Sequence, residues 1–257
     1  MTTITEPRRV RPVSTDSARK TALFAGTFYL VTFAASIPAL ALLGPVLDNA
    51  NYIISAGSDT RVVLGCLLDV VNALACIGTA VALFPVLKRQ NEAAALGFVT
   101  ARMFEAAVIV IGVVSLLAVV TLRRDVAGAA GVDTQSLLIT GRSLVAVRDW
   151  TFLLGPGFVP VLNALLLGSL LYRSRLVPRI IPTIGLLGAP VLLASSTATL
   201  FGVIEQVSVW SAVAALPIAA WELSVGMWMV VKGFSGPAAV CAPEAAESAS
   251  STPFPPA

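Results

Sequence analysis

The sequence predicts an all-α integral membrane protein, a bundle of six transmembrane helices with the N- and C-termini both in the cytoplasm. The composition is the first observation: 57% of the residues are hydrophobic and only 12% are charged, whereas a soluble domain has about 45–50% apolar and about 25% charged residues. The second is a set of six apolar stretches, each long enough to cross a hydrocarbon core of about 30 Å. The third is an uneven distribution of Lys and Arg between the connecting segments.

The chain divides into three parts. A basic cytoplasmic segment, 1–20, precedes the six-helix domain at 21–234. The tail at 235–257 is rich in Pro, Ala and Ser, and we expect it to be disordered in the cytoplasm because it cannot bury enough apolar surface to fold. The spans are predicted at about 22–44, 62–86, 94–122, 150–172, 180–204 and 213–231. The third span is longer than the core requires, so we expect it to tilt or to project from one face.

Basic residues predict the orientation of the bundle. With the N-terminus inside, the cytoplasmic segments carry eleven Lys and Arg residues and the external segments carry five. An excess of these residues marks the cytoplasmic side of a membrane protein. Arg148 belongs to the external group in this count, because the fourth span is expected to begin near Trp150.

Two of the connections carry signals for the start of a helix. Asn91 is a good N-cap for the third helix, and Glu92 in the first turn suits the helix dipole. In the longest connection, 123–149, Asp133 is suited to cap a short helix over 134–147 that lies in the external membrane interface. An ordinary surface loop is the alternative for that segment.

Proline residues predict that the bundle is irregular. Pro156 and Pro160 lie in the fourth span, and Pro182 and Pro190 lie in the fifth. Proline removes a backbone donor and kinks a helix, which a membrane tolerates only where other groups satisfy the freed carbonyls. We therefore expect bends in both spans.

Small and polar residues form stripes on several spans and indicate which helix faces meet. The second span carries Gly65, Asp69, Asn72, Cys76 and Thr79 at spacings of 4, 3, 4 and 3, and the sixth carries Ala215, Ala219, Glu222, Gly226 and Met229 at the same spacings. Each set lies on one helical face. In lipid, helices associate through small residues and interhelical hydrogen bonds, so these stripes predict packing surfaces.

Ionisable residues within the spans are the best indication of a functional site, because charges at bilayer depth are costly. Asp69, Glu105 and Glu222 are acidic, and Arg102 is the one basic residue assigned to a span. Glu105 and Glu222 lie near the middle of their spans and Arg102 about 5 Å nearer the cytoplasm, at 1.5 Å per residue. We therefore expect these three to meet, with Asp69 and Asn72 about 7 Å further toward the outside.

Three carboxylates and one guanidinium leave an excess of two negative charges if all are ionised. The excess is relieved if a carboxyl group is protonated, if a cation or amine binds, or if water fills a cavity. Three interpretations stay open: a structural polar cluster, with Arg102 satisfied by both glutamates and Asp69 capped by Asn72 and nearby hydroxyls; a transport or ligand-binding site; and membrane-embedded catalysis.

The leading hypothesis is a protein that binds or translocates a small molecule or cation at this cluster, with proton-coupled transport as one form. The competing hypothesis is a non-catalytic scaffold or accessory subunit whose cluster only fixes helix packing, since a buried ion pair can confer specificity without adding stability.

Four further polar residues are secondary candidates: Asp149, Asn163, Ser195 and Thr199. Asp149 with Trp150 opens the predicted fourth span, where a helix cap and an aromatic anchor at the membrane surface explain the pair. Ser195 and Thr199 belong to a hydroxyl cluster in the fifth span. Such hydroxyls commonly bond to carbonyls of their own helix.

Several functions lack support in the sequence. The chain has no His, and Cys66 and Cys76 are too far apart on one helix to form a disulfide. No nucleophile elbow or phosphate-binding loop is present, so we assign no catalytic residue, metal or cofactor. No basic patch with aromatic residues suggests nucleic-acid binding. The expected partners are the lipid bilayer, a small molecule or cation, and a membrane protein partner or a second copy of the chain.

Four separated segments resemble a bacterial family, domain of unknown function 4386 (DUF4386), over about residues 18–234. These are 83–92 (LFPVLKRQNE) with Arg102 and Glu105, 149–157 (DWTFLLGPG), 171–179 (LYRSRLVPR), and 216–222 (LPIAAWE) with 232–234 (KGF). In that family a His often precedes the Asp-Trp pair, whereas Arg148 stands here, which weakens a proton-relay role at that corner. The resemblance implies a multi-pass protein of the bacterial inner membrane and no particular activity.

Overall fold

The computed structural model describes residues 15–55, 59–126 and 133–235 of the chain. These described residues are 87% helical and contain no strand, which confirms the all-α class. Most of the basic segment predicted at 1–20 and nearly all of the tail predicted at 235–257, with Cys241, lie outside the described residues.

Seven α-helices form the described part of the chain. They are α1 (Thr15–Leu47), α2 (Thr60–Leu87), α3 (Glu92–Val126), α4 (Thr134–Phe152), α5 (Val159–Ser174), α6 (Ile180–Leu200) and α7 (Val209–Val231). A 3-10 helix (Tyr52–Ile54) follows α1, and a π-helical segment (Leu153–Phe158) joins α4 to α5. Because α4, the π segment and α5 are continuous, the described residues hold six helices long and apolar enough to span a membrane.

The fourth span begins well before the predicted start at residue 150. Asp133 accepts a hydrogen bond from the Gln135 backbone N–H at 3.1 Å and caps α4 at Thr134. The short helix predicted after Asp133 is therefore present, but it continues into the span. Asp149 consequently lies inside a helix, and its predicted role as a helix cap is wrong.

The π segment accommodates Pro156 in the middle of the fourth span. Proline has no N–H to donate, so one carbonyl of the preceding turn loses its helical partner, and a wider π turn is a common response within an α-helix. The hydroxyl of Ser196 on α6 donates to the carbonyl of Gly157 at 3.0 Å. A side chain from the neighbouring helix thus satisfies a backbone group in this irregular turn.

The sixth helix in sequence, α6, ends at Leu200 instead of the predicted residue 204. The chain turns at Gly202, whose φ of +69° suits a residue without a side chain. Pro182 falls in the first turn of α6, where its missing N–H breaks no helical bond. Only Pro190 therefore lies in the interior of this helix.

The spans form a closed ring. In order around the ring, α1 packs on α2, α2 on α3, α3 on α4 and α5, α5 on α6, α6 on α7, and α7 on α1.

Arg19, near the start of α1, contacts the end of α7. Its guanidinium donates to the carbonyls of Met229, Val230 and Val231 at 2.9–3.3 Å. A cation at a helix C-terminus is favoured by the dipole. We call this end of the bundle the terminal face and the opposite end the loop face.

The contact between the first and last helices depends on two glycines. A Cβ placed on Gly26 would lie 2.7 Å from the carbonyl oxygen of Gly226, and a Cβ on Gly226 would lie 2.9 Å from Cβ of Tyr29. Small residues allow such close approach between helices in lipid. The stripe predicted on the last span thus forms a packing surface at its terminal end.

A cluster of polar side chains secures the loop face. Arg123, at the end of α3, donates to the carbonyl of Ser55 at 2.7 Å, to the Tyr52 hydroxyl at 3.2 Å and to the Asp59 carboxylate. Arg124 adds a 3.0 Å contact to Asp59. The guanidinium of Arg123 also lies 4.5 Å from the centre of the Tyr52 ring. We call these five residues the loop-face cluster.

The contacts of the loop-face cluster shift the pKa values of Asp59 and Tyr52. Burial opposes the charge on Asp59, but hydrogen bonds from Arg124 and Tyr52 and the charge of Arg123 outweigh it, so its pKa lies below the usual value. Burial and the neighbouring Asp59 carboxylate raise the pKa of Tyr52 to about 12. The structure therefore favours an ionised Asp59 beside a neutral Tyr52.

A candidate ligand site at the centre of the bundle

A cavity of about 250 Å³ lies among α1, α2, α3, the α4–π region and α7. We call it the central cavity. All five primary site residues predicted from the sequence line it: Asp69, Asn72, Arg102, Glu105 and Glu222. The remaining residues of its wall are Thr32, Phe33, Ser36, Ile37, Leu40, Cys76, Ile109, Arg148, Thr151, Phe152, Pro156 and Pro160.

Arg102 forms one ion pair within α3 and a second that joins α3 to α7. Its Nη1 lies 3.0 Å from Oε2 of Glu105, one turn along α3, and its Nη2 lies 2.9 Å from Oε1 of Glu222 on α7. The Arg102 side chain is 2% exposed. The meeting of Arg102, Glu105 and Glu222 expected from their depths is therefore present.

The surroundings of Arg102 hold the guanidinium in one position. It lies over the Tyr29 ring at 4.9 Å and the Phe98 ring at 5.9 Å, distances that allow cation–π attraction. Its Nη1 is also 3.7 Å from the Cys76 sulfur. Its Nε has no hydrogen-bond partner among the described residues. The Nε–H is therefore the one group of this guanidinium that lacks an acceptor among the described residues.

Asn163 supports the glutamate side of this cluster. It is fully buried on α5, and its Nδ2 donates to Oε2 of Glu105 at 3.1 Å. The same oxygen of Glu105 is thus held by both Arg102 and Asn163. Of the four secondary candidates, Asn163 is the one that contacts the charged cluster directly.

A second buried arginine pairs with Asp69. Nη2 of Arg148 lies 3.5 Å from Oδ2 of Asp69, and its guanidinium lies over the Phe152 ring at 4.6 Å. Gly112 on α3 gives Arg148 room, because a Cβ there would lie 2.9 Å from Cδ of the arginine. Asp69 therefore forms an ion pair with Arg148, whereas the sequence led us to expect Asn72 and nearby hydroxyl groups as its partners.

Arg148 also changes the charge of the site. Asp69, Glu105 and Glu222 face two guanidinium groups, Arg102 and Arg148, so the excess is one negative charge and not two if all are ionised. The sequence assigned Arg148 to an external connection because α4 was not recognised as part of the fourth span. The signal that could have placed it is the capping residue Asp133, from which an uninterrupted helix extends to Phe152.

The Arg102 ion pairs and the Asp69–Arg148 pair lie at different depths. Glu105 is 13 residues from the start of α3 and Asp69 is 18 residues from the end of α2, which places them about 20 Å and about 27 Å from the terminal face. Glu222 is nine residues from the end of α7, about 14 Å from the same face. The central cavity therefore extends from mid-membrane toward the loop face.

The other secondary candidates lie outside the central cavity. Asp149 lines a separate cavity of about 240 Å³ at the loop face, with Asp48 and Arg142 in its wall. Ser195 and Thr199, on α6, are not part of the central cavity wall. The adjacent Thr197 bonds back to the carbonyl of Leu193 at 2.7 Å, in the manner expected for a hydroxyl in a helix.

The wall of the central cavity combines ionisable, polar and apolar groups. Its wall has carboxylate, guanidinium, amide and hydroxyl groups within an apolar surround. Within the described ranges, no group of three or more His, Cys, Asp and Glu is spaced to hold a metal ion. The carboxylates are instead distributed along the cavity and paired with arginines.

The described residues form six helices long and apolar enough to span a membrane, with charged side chains in a cavity among five of these spans, and so define a multi-pass membrane protein. Residues 24–233 match the family described as Domain of unknown function (DUF4386), which covers most of the chain, and the chain belongs to this family. The family resemblance expected from the four sequence segments is thereby confirmed. No curated protein and no solved structure matches the chain.

Proposed function

We propose that this protein binds or translocates a small molecule or cation at the central cavity. The observation that carries the proposal is the imbalance of charge around open space: three carboxylates face two guanidinium groups in a cavity of about 250 Å³. Charged residues at bilayer depth are retained chiefly where they serve a pathway or a ligand. A monovalent cation would bring the ionised cavity to neutrality.

The positions of Glu105 and Glu222 support a cation site near mid-membrane. Both glutamates share the single charge of Arg102, through 3.0 Å and 2.9 Å contacts. Two carboxylates therefore compete for one guanidinium, and an entering cation can interact with one of them. Proton-coupled transport is one form of this proposal, because a proton is the smallest cation that can neutralise the excess.

A scaffold or accessory subunit is the second candidate function. The observation that favours it is that every acidic residue of the cavity already has an arginine partner: Arg102 serves Glu105 and Glu222, and Arg148 serves Asp69. These pairs join α3 to α7 and α2 to α4, so they would fix helix register. Under this alternative, a membrane protein partner or a second copy would be the functional ligand.

The localisation belongs to the same proposal. We place the protein in the bacterial inner membrane with both termini in the cytoplasm. The burial of Arg148 in the central cavity strengthens the underlying charge asymmetry, because it removes one of the five basic residues counted on the external side.

Cation binding is tested with purified full-length protein in nanodiscs. The probes are Na⁺, K⁺ and ethylammonium, and the measurement is the shift of the thermal unfolding midpoint. We expect at least one probe to stabilise the protein, since a ligand at 100 times its Kd adds about 2.7 kcal/mol. Glu222→Gln should remove this shift, whereas Glu205→Gln, an exposed glutamate outside the cavity, should retain it.

The scaffold alternative predicts a different result. In that case Glu222→Gln and Arg102→Gln lower stability together, and none of the three cations shifts the unfolding midpoint of the unmodified protein. That outcome would exclude the cation-binding proposal for these probes.

A further inference from the structure

The central cavity opens along one face of α1. Five cavity residues of α1, namely Thr32, Phe33, Ser36, Ile37 and Leu40, recur at spacings of 1, 3, 1 and 3 and share one helical face. Thr32 is 8% exposed, whereas Ile37 is 67% exposed and Leu40 is 41% exposed. The same wall thus passes from the buried interior to the outer surface of the bundle, and its exposed part is apolar.

The neighbours of α1 define the position of this opening. On the terminal half, α1 is closed against α7 by the Gly26–Gly226 contact. Elsewhere α1 packs mainly on α2 and makes at most isolated contacts with α4, α6 and the π segment. Phe152 and Pro156 line the same cavity and are partly exposed. We call the exposed part of the cavity wall formed by Ile37, Leu40, Phe152 and Pro156 the lateral mouth.

The depth of the lateral mouth places it against acyl chains. The Tyr29 ring contacts the Arg102 guanidinium, at 4.9 Å, and so marks the level of the ion pairs. Ile37 is eight residues further along α1, about 12 Å toward the loop face, and Leu40 is 11 residues further, about 17 Å. Half of the hydrocarbon core is about 15 Å. With the Arg102 ion pairs near mid-membrane, Ile37 therefore lies at the depth of the acyl chains and Leu40 at their boundary with the headgroups.

We propose that the ligand of the central cavity is an amphiphile with a cationic amine head, which enters sideways from the bilayer. The head binds beside Glu105 and Glu222, and the hydrocarbon tail extends through the lateral mouth into lipid. The excess of one carboxylate over guanidinium selects a cationic head, and the apolar rim at Ile37 and Leu40 accommodates a chain. This inference rests on the proposed cation site and specifies the class of ligand.

Three probes test the inference with the full chain in phosphatidylcholine nanodiscs: dodecylammonium, ethylammonium and dodecyl sulfate, each radiolabelled. Saturable binding is measured against empty nanodiscs, so that partition into lipid is subtracted. We expect dodecylammonium to bind and dodecyl sulfate not to bind. Saturable binding of dodecyl sulfate with an equal Kd would overturn the cationic assignment of the head.

Variants of the lateral mouth separate this inference from the proposed function. Ile37→Trp should narrow the mouth and weaken dodecylammonium binding about tenfold, while ethylammonium, which has no long tail, should change by less than about twofold. Leu40→Trp provides a second obstruction in case the first is poorly folded. Leu187→Trp, at a 68% exposed position on α6 outside the cavity, is the matched control and should bind both amines normally.

Two outcomes contradict lateral entry while leaving the cation site intact. In the first, Ile37→Trp and Leu40→Trp weaken the binding of ethylammonium and dodecylammonium equally. In the second, neither variant changes the binding of either amine. In either case the tail does not pass through the lateral mouth. If Glu222→Gln binds both amines like the unmodified protein, the cation site itself is refuted.

The source of such an amine is distinguished by adding phosphatidylethanolamine to the nanodiscs. Competition with dodecylammonium would show that the site accepts an ammonium group carried on a lipid headgroup, although that headgroup also bears a phosphate. Its failure to compete, with dodecylammonium still bound, would restrict the site to a free long-chain amine. Either result is consistent with recognition of an ammonium group on an amphiphile.

Discussion

Arg102 and Glu222 lie 120 positions apart in the chain, yet Nη2 of the first is 2.9 Å from Oε1 of the second. This contact joins α3 to α7 across the ring and lies beside the central cavity. Because Arg102 also pairs with Glu105, the removal of one guanidinium leaves two carboxylates without an ionic partner. The contact therefore matters for stability as well as for ligand binding.

We expect Arg102→Met to lower the free energy of unfolding by about 3–5 kcal/mol, the usual cost of breaking a buried pair and leaving an uncompensated charge. Thermal and denaturant unfolding in detergent, followed by tryptophan fluorescence, measures this change. Arg61→Met, at an exposed arginine near the start of α2, is the control and should change stability by less than about 0.5 kcal/mol. Equal stability of the two variants would show that the Arg102 pairs contribute nothing.

The Asp69–Arg148 pair should behave as one energetic unit. Asp69→Asn leaves Arg148 buried without a carboxylate, so each single substitution should destabilise the protein, and Asp69→Asn with Arg148→Gln should cost less than the sum. We expect an interaction energy of about 0.5–3 kcal/mol from the double-mutant cycle in detergent. A cycle that sums to zero within error would mean that the 3.5 Å contact is energetically irrelevant.

The helix contact at Gly26 should not tolerate a methyl group. Alanine there would place Cβ 2.7 Å from the backbone oxygen of Gly226, and backbone cannot move aside as a flexible side chain can. Overpacking of this kind costs about 1–3 kcal/mol. Gly97→Ala is the matched control, because its Cβ would meet the Leu166 side chain at an ordinary 3.4 Å. Unfolding midpoints of the two variants in detergent, measured side by side, decide the question.

The loop-face cluster should make stability depend on pH at acidic values. The folded-state pKa of Asp59 is lowered, so its stabilising contribution is present above the unfolded value of about 3.9 and is lost as pH falls through the folded pKa. We expect Asp59→Asn to be less stable than the unmodified protein by about 1–3 kcal/mol at pH 7. The difference should shrink below about pH 4.

Unfolding in acid-stable detergent between pH 3 and pH 7 tests this dependence. Asp125→Asn, at an exposed position close in sequence to Arg124, is the control for general charge effects. A difference between Asp59→Asn and the unmodified protein that stayed constant over the whole pH range would rule out a contribution from Asp59 ionisation.

Cysteine labelling tests the proposed orientation. Cys241 lies in the tail beyond the described residues, while Cys66 and Cys76 are 2% exposed. An impermeant maleimide should label Cys241 in inside-out vesicles and not in spheroplasts. Gln135→Cys, at an exposed position of the loop face, should show the opposite pattern in a Cys241→Ser background. Labelling of Cys241 in intact spheroplasts would reverse the orientation.

The sequence predicts those site residues that lie within apolar spans and recur at helical spacing. Glu222 could be placed near Arg102 because both lie in strongly apolar spans, where depth follows from counting residues at 1.5 Å each. The packing stripe that includes Gly226 is likewise visible from its spacing. In lipid, few polar residues occur in each span, so their positions alone limit the possible partners.

The missed residues lie where hydropathy is low. Arg148 belongs to a helix whose first half is polar, so the composition places it in an external connection and leaves Asp69 without its partner. The loop-face cluster was missed for a related reason, since Arg123 follows the apolar part of α3 and its partner Asp59 is 64 positions away. Contacts between connecting segments do not follow a helical repeat, so they cannot be predicted from the spacing of residues in a single sequence.

The closure of the ring by its first and last helices has a consequence for biosynthesis. Until α7 has left the ribosome, the newly inserted chain contains Arg102 with Glu105 but without Glu222. The carbonyls that Arg19 caps do not yet exist at that stage, and α1 has only α2 as a principal neighbour. A chain truncated before residue 209 would therefore keep only one of the two carboxylate partners of Arg102 and would lack the partner on which α1 closes the ring.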